Sequence, residues 1–73
     1  MISDEKIAAR VSELFVEFSR RIDQSIALVK ETASPEEFSA YRRAAGRVLG
    51  EMLLEVMNPL YQKHPGLKPK GLR

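Results

Sequence analysis

Ser34-Pro35-Glu36-Glu37 constrains this chain more than any other segment. A serine followed three residues later by glutamate is a capping box. Ser34 accepts from the Glu37 N–H, and the Glu37 carboxylate reaches back to the Ser34 N–H. Pro35 stands at the first helical position, where its missing N–H costs nothing and its fixed φ suits a helix. The same ring disfavours helical geometry at Ser34. One helix therefore ends near Thr32 and another begins at Pro35. A link this short makes the two helices antiparallel neighbours, or sets them at a steep angle.

Upstream of the turn neither glycine nor proline occurs, and the apolar positions Ile7, Val11, Phe15, Phe18, Ile22, Ile26, Val29 and Ala33 follow a 4-4-3-4-4-3-4 spacing. That is an 11-residue repeat, about 3.67 residues per turn, close to a straight helix and far from the period of two that a strand requires. Leu14 and Leu28 widen the stripe, and Lys6, Arg10, Glu13, Glu17, Arg20, Arg21 and Gln24 occupy the other side. Ser3 or Asp4 can cap the start, so a helix is predicted over residues 4–32. Glu17 and Arg21 stand in the favourable i, i+4 order.

Downstream, a helix is predicted over residues 35–57. Its apolar positions are Phe38, Tyr41, Ala45, Val48, Leu49, Met52, Leu53, Val56 and Met57. Pro59 would clash with the carbonyl of Glu55, so the helix either kinks or stops there. Asn58 is a good cap and Pro59 a good first residue, which favours a stop and a short new helix over residues 59–63. The last ten residues hold two prolines and two glycines, and residues 65–73 are predicted to be an extended basic tail, with Leu67 able to lie on the bundle.

The chain has 73 residues and so forms a single helical domain over residues 1–64, of a size that is marginally stable alone. It has no cysteine and one histidine, His64, which rules out disulfides, thiolate metal sites and multi-histidine sites within one chain. Of the usual supports for a small fold, oligomerisation remains. The absence of cysteine also fits a reducing cytoplasm. The opening Ser3-Asp4-Glu5 does not resemble a secretory leader, and no apolar run is long enough for a transmembrane helix. Residues 1–55 carry eight bases against ten acids, net −2, while Lys63, Lys68, Lys70 and Arg73 give the end of the chain +4. The basic pI is thus mainly a property of the tail.

Both apolar stripes are wider than one neighbouring helix can cover, and an uncovered stripe of that kind is usually an interface. Two hairpins packed face to face would make a dimeric four-helix bundle. Arg43, Arg47, Glu51 and Glu55 run along one side of the second helix. An antiparallel copy related by a twofold axis near Leu49 would set Arg43 against Glu55 and Arg47 against Glu51, as a self-complementary interface requires. Such pairs would set orientation, since exposed ones stabilise by only ~0–1 kcal/mol. The expected dimer interface comprises Phe15, Phe18, Ile22, Arg43, Gly46, Arg47, Leu49, Gly50, Glu51, Leu53 and Glu55.

Gly46 and Gly50 are unusual inside a helix, where each costs about 1 kcal/mol relative to alanine. Four apart, they make one bare strip, which reads first as a close helix crossing and second as a ligand pocket. Arg42, Arg43 and Arg47, with Lys68, Lys70 and Arg73 of the tail, are the candidate contacts for nucleic acid. The interspersed Glu13, Glu17, Glu51 and Glu55 favour ordinary solvated faces. His64, before a proline, is expected to be exposed, and Leu60 and Tyr61 to cover the end of the core.

No phosphate loop, activated nucleophile or Glu-x-x-His pair is present, so no enzymatic activity, cofactor or metal is expected. Arg20-Arg21-Ile22-Asp23 faintly resembles the opening helix of the all-helical chorismate mutases over those four residues alone. That family also needs polar residues aimed into the bundle, which the apolar stripes here do not clearly supply. The expected function is that of a small cytoplasmic homodimer serving as a protein-protein interaction or regulatory module. The alternative is a nucleic-acid-binding regulator that uses the arginines and the tail.

Overall fold

The computed structural model describes residues 1–69, which are all-helical. Helix α1 runs Glu5–Thr32 and α2 runs Pro35–Met52; a π-helical turn, Leu53–Met57, then leads into α3, Asn58–Lys63. α1 and α2 pack against each other as an elongated hairpin of 45 × 18 × 16 Å. The long dimension is about that of α1, whose 28 residues span about 42 Å at 1.5 Å per residue.

The caps form as the residue types require. Asp4, rather than Ser3, starts α1, its carboxylate accepting from the N–H groups of Lys6 at 2.9 Å and Ile7 at 3.2 Å. Ser34 has φ −66° and ψ 159°, outside the helical region, and accepts from the Glu37 N–H at 3.2 Å. The Glu37 carboxylate returns to the Ser34 N–H at 3.4 Å, completing the capping box.

Pro59 neither stops the chain nor starts a separately capped helix. Met57 (φ −70°, ψ −45°) and Asn58 (φ −62°, ψ −48°) are both in the right-handed helical region, and Asn58 caps nothing with its side chain. The helix widens by one residue instead: the Asn58 N–H bonds to the Leu53 carbonyl, five residues back. A π turn of this kind admits a proline ring and its missing donor without breaking the helical path.

The core sits at the open end of the hairpin. Ala8, Met57, Leu60 and Tyr61 are buried together, with Ile2, Val11, Phe15, Leu53 and Leu67 packed around them. Small residues on α1 let α3 approach closely: Ala8 is fully buried, and the buried Ser12 hydroxyl meets the Tyr61 hydroxyl at 2.6 Å. The tail is not extended where it begins. Pro65–Leu67 form a 3₁₀ turn, closed by Leu67 N–H to His64 O at 3.0 Å and held by Leu67 on the core. His64 is half-buried rather than exposed, because its Nε2 donates to the Ile2 carbonyl at 2.6 Å and ties the residue after α3 to the segment before α1.

Leu60 is fully buried and joins α3 to α1. Leu60→Ala is expected to lower unfolding stability by about 3 kcal/mol in urea titration. Leu28→Ala, at a position that is 60% exposed, should stay within about 0.5 kcal/mol of the parent.

A candidate interaction face across both helices

Side chains seven or eleven residues apart lie on one side of a helix. Ile7, Leu14, Phe18 and Ser25 form such a row on α1, and Tyr41, Val48 and Met52 form one on α2. The hairpin places the two rows side by side. The Tyr41 and Ser25 hydroxyls meet at 2.6 Å. Ser25 donates its own hydroxyl hydrogen to the Ile22 carbonyl, so Tyr41 is the donor in that bond. Further along, Glu17, Phe18, Arg21, Ile22 and Ser25 of α1 and Met52 of α2 line one open groove of 480 Å³.

This face is apolar and uncovered. Ile7 is 54% exposed, Leu14 48%, Phe18 46%, Tyr41 37% and Val48 52%. Phe18 leans edge-on against Phe15, ring centroids 6.1 Å apart, so its ring is braced from below while its outer face stays open. Glu17 pairs with Arg20, one residue nearer than the expected Arg21, which leaves Arg21 on the groove wall.

The expected interface residues separate in space. Phe15 and Leu53 pack on the core, while Phe18 and Ile22 line the groove. Leu49 and Gly50 are half-buried; Arg43, Gly46, Arg47, Glu51 and Glu55 are exposed. Val48 lies two residues from both Gly46 and Gly50, just over half a turn, so the glycines are on the opposite side of α2 from the apolar row. A Cβ at Gly46 or Gly50 would meet nothing within 4 Å among the described residues. Among the described residues no helix crosses there, and the groove lies elsewhere. The resemblance of Arg20–Asp23 to a mutase helix finds no inward-facing site, since Arg20, Arg21 and Asp23 are exposed.

Arg42, Arg43 and Arg47 are exposed and form no ion pair among the described residues. Lys68 is exposed, and Lys70 and Arg73 lie outside the described residues. Among the described residues no group of three or more His, Cys, Asp or Glu side chains is placed to hold a metal, and no helix is long and apolar enough to cross a membrane. The residues of this face that the expected interface leaves out are Ile7, Leu14, Tyr41, Val48 and Met52. All are visibly apolar, but only the register of the hairpin aligns them on one uncovered side. Comparison of the chain with protein-family models, with curated proteins and with solved structures gives no match.

With no neighbour within 4 Å, a methyl group at either glycine is free of clashes. Gly46→Ala and Gly50→Ala are each expected to raise stability by about 0.5–1 kcal/mol in thermal denaturation. A loss of stability at either position would show that something covers that face in solution.

Proposed function

We propose that this chain is a small cytoplasmic protein-interaction module that works as a homodimer, two hairpins joining their apolar faces into a four-helix bundle. The observation that carries this reading is the row of five large exposed apolar side chains, Ile7, Leu14, Phe18, Tyr41 and Val48, on one side of the molecule. The size is suitable. One whole side of the hairpin, 45 Å long and 18 Å wide, is on the order of 800 Å², about what each partner contributes to a stable interface, so a dimer would use the residues flanking the apolar row as well. The need is also present, because among the described residues only Ala8, Ala45, Met57, Leu60 and Tyr61 supply buried apolar side chains within one copy. We assign the chain no catalytic step.

Sedimentation equilibrium tests the reading. The parent is expected to run at twice its 8.3 kDa chain mass. Phe18→Glu combined with Val48→Glu should return it to a monomer, because both substitutions would bury charge in the shared core. Ala27→Glu lies nine residues from Phe18, on the opposite side of α1, and should leave the dimer intact. A parent that is monomeric at all concentrations would end the proposal.

A second reading has one observation in its favour. No acidic residue lies between Glu37 and Glu51, and this stretch exposes Arg42, Arg43 and Arg47. With Lys68 and the tail bases Lys70 and Arg73 they would contact phosphates. A gel shift with non-specific DNA and RNA checks it: binding that weakens steeply with salt would favour this reading, and no binding at low salt would remove it.

A further inference from the structure

The expected interface residues lie on more than one side of the molecule, and the charged ones are not on the apolar face. Arg43 and Arg47 each stand two residues from the buried Ala45, and Arg47 and Glu51 two from the half-buried Leu49. Glu51 and Glu55 stand two from Leu53, which packs on the core. Two residues are just over half a helical turn, so all four charges point away from α1. We propose that this outer ridge is a second self-association surface, on which another copy lies antiparallel about a twofold axis at the level of Leu49.

Within one copy this charge order is unfavourable. Residues four apart are neighbours on a helix, so Arg43 stands beside Arg47 and Glu51 beside Glu55, like against like. Arg47 and Glu51 are also four apart, but base before acid is the weaker order. All four are exposed, and none has an ion-pair partner among the described residues. A row spaced by four is one of the ridges along which helices pack. An antiparallel copy sets Arg47 beside its Glu51 and Arg43 beside its Glu55, and the symmetry makes each contact twice. Each like-charged pair then meets a pair of the opposite sign. A parallel copy would set arginine on arginine and glutamate on glutamate, which is repulsive.

One apolar side chain joins the contact. Leu54 is 63% exposed, the most open of the large hydrophobic residues described. It lies seven residues from Arg47 and so on the same side of the helix. In the antiparallel arrangement it reaches the aliphatic stem of the second copy's Arg43. The contact is made by the ends of long side chains, so a methyl group at Gly46 or Gly50 fits beneath it. Exposed charges and a single leucine make this association weak and sensitive to salt. It goes beyond the homodimer reading and does not depend on it. Added to an apolar-face dimer it pairs the dimers, and without one it pairs single chains.

Sedimentation equilibrium of the full chain at about 0.01 M and about 1 M salt, where the screening length is ~30 Å and ~3 Å, separates the two surfaces. The mass at high salt reads the apolar face, and the ratio of the low-salt mass to it reads the ridge. In the parent at high protein concentration this ratio is expected to approach about two. Arg47→Glu should return it to about one, and adding Glu51→Arg should bring it back. Both sites are exposed, so the circular dichroism of each variant should match the parent. Equal masses at the two salts in the parent overturn the ridge. So does a low-salt rise that Arg47→Glu leaves unchanged, or that the double variant fails to recover. A parent that is monomeric at high salt counts against the homodimer reading alone, because the ratio still reads the ridge.

Discussion

The contact of Leu60 and Tyr61 with Ala8 and Ser12 holds the open end of this hairpin, and the rest of the structure depends on it. Two helices joined by a short turn are fixed only at the turn. Without a second point of attachment their far ends could separate. Here the attachment combines a fully buried leucine, an alanine small enough to let it approach, and a buried hydroxyl pair at 2.6 Å. The position of that contact sets the register of α1 against α2 along its whole length. The second hydroxyl pair, Ser25 with Tyr41, repeats the arrangement near the turn. Both bonds link a serine on α1 to a tyrosine on the returning arm. A slip of one residue would break both.

The π turn at Leu53–Met57 is part of the same solution. A helix that stopped at Pro59 would leave Leu60 and Tyr61 free of the hairpin's geometry. The extra residue in the turn admits the proline while the helical path continues, so α3 still reaches Ala8 and Ser12. The 3₁₀ turn of Pro65–Leu67 and the bond from His64 to Ile2 then cover the end of the core. With Ala8, Met57, Leu60 and Tyr61 gathered at this end and Ala45 the one buried apolar residue of α2, the middle of the hairpin is left thinly covered. The exposed row from Ile7 to Phe18 and from Tyr41 to Val48 follows from that distribution.

The helices and the turn were legible because their causes are local. The Ser34–Glu37 capping box, the uninterrupted periodicity of α1 and the position of Pro35 each act within a few residues. The continuation through Pro59 was not legible. Asn58-Pro59 is a good helix start by residue type, and the buried contacts of Leu60 and Tyr61 that keep the chain helical involve residues some fifty positions away. The burial of His64 has the same kind of cause, since its partner is Ile2. The candidate face was half legible. Phe18 and Ile22 stand out as apolar, but Val48 and Tyr41 join them only through the register between the helices. The glycine pair suggests a close crossing, and nothing among the described residues approaches it.

The sequence by itself determined that the chain is helical, where its two long helices meet, and that its apolar surface exceeds what one pair of helices can hide. Periodicity, caps and proline geometry act over one or two turns, and this is why they can be read directly. Only the tertiary structure decided which end holds the core, how the helix passes Pro59, and which apolar residues remain uncovered. Those outcomes depend on the rotation and register of α1 against α2, set by the distant contacts of Leu60 and Tyr61 with Ala8 and Ser12. A helix defines its own faces, but the choice of the face it buries belongs to the pair.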